Sequence, residues 1–213
     1  MLAVVRRLPR GVRLLVIVVA VVVLVAAALG AWYVARAYLT KSRGVELHAS
    51  VEVAPGDVVV FLQSDPEWAD EAMGGTRFRM GGSGCLVSCI ASALCAMGVE
   101  TDPGHVNAAF TAAGVYDAEA NVVWKHIGRA FPGVGYRYTR VFDGRRIEAD
   151  LRAGLRPLLG VRYLGGGAQH WVEVVGSHDG DFLVMDPLAR ERKPIPLSRH
   201  GRVFYYRVLV RTT

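Results

Sequence analysis

Hydrophobic residues are unevenly distributed along this 213-residue chain. Residues 14–35 form an uncharged run dominated by Val, Leu and Ala, which would be apolar on every face of a helix. A helix of this length spans roughly 33 Å, enough to cross the hydrocarbon core of a bilayer. Trp32 and Tyr33 near its end suit a membrane interface. The pattern predicts a transmembrane helix over 14–35.

A cleaved secretory signal is the alternative for this segment, since Ala35-Arg36-Ala37 has the small-x-small form of a cleavage site. The apolar part of a secretory signal is usually only about 7–15 residues long, so the length favours an uncleaved signal-anchor. Basic residues are slightly more numerous before the span than just after it, which favours a cytoplasmic N-terminus. We therefore expect a single-pass protein of the cell membrane. Its expected parts are a cytoplasmic basic segment (1–13), the transmembrane helix (14–35), a juxtamembrane linker (36–44) and an extracytoplasmic domain (45–213).

The pattern in residues 45–213 changes from mainly helical to mainly alternating or short apolar runs. Helices followed by strands predict an α+β domain, with a helical part packed on an antiparallel sheet. The expected helices are 85–97, 103–113, 122–130 and 147–153, and the expected strands are 45–53, 58–62, 157–164, 171–175, 181–185 and 203–210.

The net charge of +6 belongs to the N-terminal part of the chain. The first 43 residues hold seven of the 25 Lys and Arg residues and none of the 19 Asp and Glu residues. The remainder is close to neutral and contains no nucleic-acid-binding motif, so nucleic acid is not expected as a partner. The composition does not define an oligomeric state.

Two parts of the domain carry residue types suited to nucleophilic catalysis. Cys85 follows Gly82-Ser83-Gly84 at the start of an apolar helix, where the helix dipole favours a thiolate. His170 begins one expected strand and Asp186 ends the next, so two adjacent antiparallel strands could place the carboxylate beside the imidazole. By itself, a cysteine on an apolar helix is more often a small buried residue, which is what we expect of Cys89 and Cys95.

The set of motifs resembles the C39-like peptidases of the papain-like superfamily over about residues 57–210. The matching segments are Leu62-Gln63-Ser-Asp-Pro-Glu-Trp68, Gly84-Cys85-Leu-Val-Ser88, His170-Trp-Val-Glu-Val-Val-Gly176 and Asp186-Pro187. This chain has Leu86-Val87-Ser88 where many relatives have Gly-Pro-Thr after the cysteine.

The resemblance implies a papain-like fold and a thiol peptidase acting on a peptide or protein through an acyl-enzyme. Cys85 would be the nucleophile, His170 the base, and Asp186 the residue that orients His170. Gln63 would donate a side-chain N–H to the oxyanion hole. The resemblance implies no cofactor and no metal.

Other functions fit the same residues. A papain-like domain can lose activity and remain a peptide-binding module, because fold alone does not fix function. An amidase or an acyltransferase could use the same triad. A zinc site with Cys85, Cys89 and a histidine lacks a second recognisable ligand pair. Cys85 and Cys89, four apart on one helix, are poorly placed for a disulfide.

Overall fold

The computed structural model describes residues 9–212, so most of the expected cytoplasmic segment 1–13 lies outside the described residues. The contacts divide the chain into two compact units, one up to Leu39 and one from Thr40 onward. Helix α1 (Arg10–Arg43) contains the apolar run and continues through the segment expected to be a linker. Among the described helices it alone is long and apolar enough to span a membrane, a test that a signal sequence also passes.

The second unit is built on a six-stranded antiparallel sheet. Its strands are β1 (Val134–Thr139), β2 (Pro157–Arg162), β3 (Gln169–His178), β4 (Asp181–Met185), β5 (Ile195–Pro196) and β6 (Val203–Arg211). They lie in the order β1-β6-β2-β3-β4-β5, so β1 and β5 form the edges of the sheet.

Helices cover both faces of this sheet, which gives the unit two hydrophobic cores. The helices are α2 (Met80–Ser83), α3 (Cys85–Ala96), α4 (Pro103–Ala112), α5 (Ile127–Ala130) and α6 (Gly144–Arg152), with 3-10 turns at Trp124–His126, Tyr163–Gly165 and Leu197–His200. One core lies between β3 and the helices around α3, with Val87, Ile90 and Leu94 fully buried. The other lies beneath α6, whose Ile147 and Leu151 pack on β2 and β3.

The α+β class and the antiparallel sheet expected from the sequence are confirmed, with the helix that begins at Cys85 packed on β3. The strand predictions at 157–164, 171–175, 181–185 and 203–210 correspond to β2, β3, β4 and β6. The helix predicted at 122–130 is shorter, because a 3-10 turn precedes the single turn of α5.

Two strand predictions were wrong. Residues 45–53 form no strand: their backbone pairs with the sheet only through two isolated bridges, Val45 with Val203 and Val53 with Ser177. Residues 58–62 form no strand, although Val58, Val60 and Phe61 pack against the α3 core. In both segments the apolar side chains pack on the domain, and the backbone does not pair along a sheet.

Candidate active site

Cys85 is the first residue of α3 and follows a tight junction with α2. A Cβ on Gly84 would come within 2.6 Å of the Met80 carbonyl oxygen and 2.8 Å of Met80 Cε, so glycine is required for this close approach. The junction places Cys85 in the first turn of α3, where backbone N–H groups have no acceptor one turn earlier in the helix. Its own N–H is therefore available to a bound group.

Cys85 is half-buried, and its sulfur lies within hydrogen-bond reach of the backbone N–H of Trp171, the residue that follows His170 on β3. Burial raises the pKa of its thiol, whereas the backbone N–H groups of Trp171 and Leu86 act in the opposite direction. Because burial is the largest of these effects, a thiolate at Cys85 would need a base close by.

His170 and Asp186 are joined as the sequence predicted for the two adjacent strands. His170 Nε2 lies 2.6 Å from Asp186 Oδ1, and both side chains are only 3% exposed. Burial acts to raise the Asp186 pKa, but the hydrogen bond from His170 and the proximity of His200 hold it well below its usual value. Asp186 is thus a carboxylate, and with Nε2 engaged His170 has its Nδ1 left to accept a proton.

Gln63 is held on a loop that is fixed at both backbone and side chain. Its backbone N–H donates to the Pro187 carbonyl at 3.0 Å, next to Asp186. Its Nε2 donates to the Gly81 carbonyl at 2.8 Å, which leaves the second N–H of the amide. Oε1 is buried without a hydrogen-bond partner among the described residues. The amide is therefore oriented with its nitrogen toward the α2–α3 junction.

Gln63, Cys85 and His170 line one cavity of about 610 Å³. Its other lining side chains are mostly apolar or neutral, among them Trp124, Trp171 and Leu188. Met73 and Gly82, which precede Cys85, and Ala168 and Gln169, which precede His170, also line it. Asp186 faces a neighbouring cavity of about 400 Å³, with Tyr163 and Leu188 shared between the two. The structure thus brings three predicted residues to one cavity and the fourth into direct contact with His170.

The other cysteines lie outside this cavity. Cys89 is fully buried and its thiol contacts the Trp171 carbonyl, and Cys95 is half-buried against Thr101. Among residues 9–212, the group with ligand atoms close enough for a metal is Glu52, His178 and Asp179, all exposed, and it includes no cysteine. The zinc alternative with Cys85 and Cys89 therefore has no support in the described structure.

Sequence analysis missed two residues beside the predicted pair. His200 is fully buried, with Nε2 3.3 Å from Asp186 Oδ2. Tyr163 packs on both imidazoles, its ring centre 5.5 Å from that of His170 and 5.9 Å from that of His200. Both lie in 3-10 turns, where no periodic pattern marks a buried side chain.

No family model matches this chain, and no curated protein matches it. Among solved structures, a crystal structure from Bacillus anthracis described as a candidate C39-like peptidase is similar over 74% of this chain and 100% of that one. The sequence identity is 13% and the TM-score is 0.47.

Proposed function

We propose that this chain is a thiol peptidase of the C39-like kind, with Cys85 as the nucleophile. The observation that carries the proposal is the buried 2.6 Å contact between His170 and Asp186 beside a cavity that Cys85 and Gln63 also line. A carboxylate on one imidazole nitrogen fixes the ring and prepares the other nitrogen to act as a base. This is the arrangement that a protonated thiol needs to become a nucleophile.

The proposed reaction begins when His170 Nδ1 takes the thiol proton as the Cys85 sulfur attacks the substrate carbonyl carbon. The resulting oxyanion accepts hydrogen bonds from the Cys85 backbone N–H and from the free N–H of Gln63. When the C–N bond breaks, His170 gives its proton to the departing amine and an acyl-enzyme remains. Water then attacks the thioester carbonyl carbon while His170 takes one of its protons. The C–S bond breaks to release the acid product, and His170 returns the proton to the departing sulfur, which restores the thiol.

Asp186 has an electrostatic and orienting role in this scheme. Its carboxylate stabilises the imidazolium that exists between the two proton transfers, and it keeps the proton of neutral His170 on Nε2. Because the pKa of Asp186 is held well below its usual value, its carboxylate keeps this charge in mildly acidic as well as neutral solution.

Helix α1 supports membrane attachment as part of the same proposal. Its apolar stretch is long enough to span a bilayer, and the distribution of basic residues favours a catalytic domain outside the cytoplasm. A reporter fused at the C-terminus tests this topology. Activity of a reporter that works only in the cytoplasm would contradict it.

The competing function is a peptide-binding module without turnover. The observation that favours it is the desolvated thiol, whose raised pKa leaves no ready-made thiolate. An amidase or acyltransferase would use the same side chains and differ in the group that leaves or attacks. The products formed from a diverse peptide library would distinguish these functions.

The test uses full-length protein in detergent with such a library. Wild type should release new N-termini from some members, whereas Cys85→Ala should bind the same peptides without cleaving them. Cys95→Ala is the matched control and should retain turnover. If the wild type binds peptides without cleaving them, the domain is a peptide-binding module. If Cys85→Ala still cleaves them, Cys85 is not the nucleophile.

Alkylation provides a second test that needs no substrate. Iodoacetamide should modify Cys85 faster than Cys95 or Cys89 near neutral pH, because only Cys85 lines the cavity beside His170. His170→Ala should slow the modification of Cys85 and leave that of Cys95 unchanged. Equal rates at Cys85 and Cys95 in the wild type would contradict the proposal.

A further inference from the structure

The carboxylate of Asp186 is flanked by two buried histidines. His170 occupies Oδ1, and His200 faces Oδ2 at 3.3 Å from a fully buried position. The two imidazole centres are 5.7 Å apart. We propose that His200 is a positioning residue that holds Asp186 from the side opposite His170. The inference rests on the proposed function, because it assigns a role within the same site.

The tautomer of His200 follows from its second contact. The backbone N–H of Leu164 donates to His200 Nδ1 at 3.3 Å, so Nδ1 is the acceptor and Nε2 carries the proton. Nε2 has no well-aligned hydrogen-bond acceptor among the described residues, and Asp186 Oδ2 lies within ion-pair distance. A buried N–H without an acceptor is costly, so its proton is directed to the carboxylate.

The two oxygens of Asp186 are supported unequally. Oδ1 accepts from His170 and from the Leu188 backbone N–H, at 2.6 and 2.8 Å. No other hydrogen bond to Oδ2 occurs within residues 9–212, so His200 provides its support. Without that support the carboxylate can rotate toward other donors or water. Rotation would weaken its bond to His170 and release the ring that must present Nδ1 to Cys85.

His200 also connects Asp186 to the loop that borders the cleft. Leu164, its donor, has a left-handed backbone conformation with φ of 47°, which is unfavourable for a leucine. Tyr163, the preceding residue, lines the cavity and packs on both histidines. A chain of contacts therefore runs from the cleft loop through His200 and Asp186 to His170.

Two substitutions separate the two contacts of His200. In His200→Gln the amide nitrogen reaches the place of Nε2, so the donor to Asp186 is retained. In His200→Asn the amide oxygen takes the place of Nδ1, so the bond from Leu164 is retained and the donor to Asp186 is lost. Both variants lose the imidazole ring, so a difference between them does not come from the lost packing of the ring.

Turnover provides the first readout. We expect His200→Asn to lower kcat about tenfold while KM changes less than about twofold, because the base is misaligned and the substrate cleft is intact. His200→Gln should recover kcat to within about threefold of wild type. Equal rates in the two variants, whether both normal or both impaired, would overturn the proposal.

Nuclear magnetic resonance provides a readout that does not need turnover. In full-length Cys85→Ala with ¹⁵N-labelled histidine, His200 should have its proton on Nε2, and the Nε2–H of His170 should give a low-field signal. His200→Asn in this background should broaden or remove the His170 signal, and His200→Gln should keep it.

These results distinguish the proposal from the peptidase function. A proton on His200 Nδ1 in the Cys85→Ala protein would overturn the positioning role without any His200 variant, even if neither variant folds. If the protein cleaves no peptide, the tautomer and the His170 signal still decide the role. If His200→Asn has normal turnover and an unchanged His170 signal, His200 has no positioning role, and the peptidase proposal is unaffected.

Discussion

Two buried carboxylates, Glu173 on β3 and Asp186 just after the end of β4, have opposite electrostatic behaviour. Glu173 pairs with Met185 across β3 and β4, so the next residue, Asp186, is one position away in register. Both side chains are almost completely inaccessible. Asp186 has two histidines against it, whereas Glu173 has no ion-pair partner within the described chain and leaves Oε2 without a hydrogen bond.

Their pKa values move in opposite directions as a result. Burial raises the Glu173 pKa to about 8, and the hydrogen bond from Ser92 and the charge of Arg156 only partly oppose this. At Asp186 the histidine contacts outweigh burial and the pKa falls. Burial alone therefore does not determine whether a carboxyl group is ionised. The groups in contact with it determine this, and of these two acids only Asp186, with two histidines beside it, can orient an imidazole.

The largest effect expected from this difference is on turnover. In Asp186→Asn the amide can donate to His170 Nε2, which forces the proton onto Nδ1 and prevents it from accepting the thiol proton. We expect kcat to fall by about 10² to 10⁴. Glu173→Gln, the matched change of a buried acid, should leave kcat within about threefold of wild type. Steady-state kinetics on one cleaved peptide measures both, and similar losses in the two variants would contradict the distinction.

A smaller effect is expected on the pH dependence of stability. Glu173 binds its proton more tightly folded than unfolded, so its stabilising contribution is complete below about pH 4.5 and is lost as pH rises through about 8. Relative to its difference from wild type at pH 5, Glu173→Gln should therefore gain about 4 kcal/mol of stability at pH 9. Urea unfolding at the two pH values measures this. An equal difference at both would show that Glu173 does not titrate in this range.

The smallest effect concerns Arg156, whose charge favours the ionised form of Glu173. Arg156→Met also removes a hydrogen bond to the Val175 carbonyl, so a double-mutant cycle with Glu173→Gln is needed to isolate the charge effect. We expect a coupling free energy of about 0.5–1 kcal/mol at pH 9 and close to zero at pH 5. Coupling that is the same at both pH values would indicate packing instead of charge.

Much of this fold was predictable from periodicity. The runs that became β2, β4 and β6 are apolar segments bounded by turn residues, and α3 is a continuous apolar helix after a glycine junction. Strand β1 was not predicted, because Tyr136 and Tyr138 alternate with Arg137 in a short segment without a conspicuous apolar face. Its place at the sheet edge depends on pairing with β6, which is distant in the chain.

The site was predictable only in part, for a related reason. His170 and Asp186 lie on consecutive strands, so local topology was sufficient to bring them together. His200 reaches Asp186 from a 3-10 turn, and its contact depends on how residues 186–200 fold back. Gln63 depends on bonds to Gly81 and Pro187 that no local pattern specifies. Burial and ion-pair partners emerge only after these tertiary contacts are formed.

The desolvated thiol of Cys85 has a consequence for chemical durability. Peroxide reacts with thiolates, and an exposed thiolate is converted through sulfenic acid to irreversible sulfinic and sulfonic acids. Burial raises the pKa of the Cys85 thiol, so the thiolate that peroxide attacks is disfavoured relative to that of an exposed cysteine. If Cys85 is the nucleophile of a peptidase outside the cytoplasm, where the reductants of the cell interior are absent, the smaller thiolate fraction would slow oxidation of the nucleophile between turnovers.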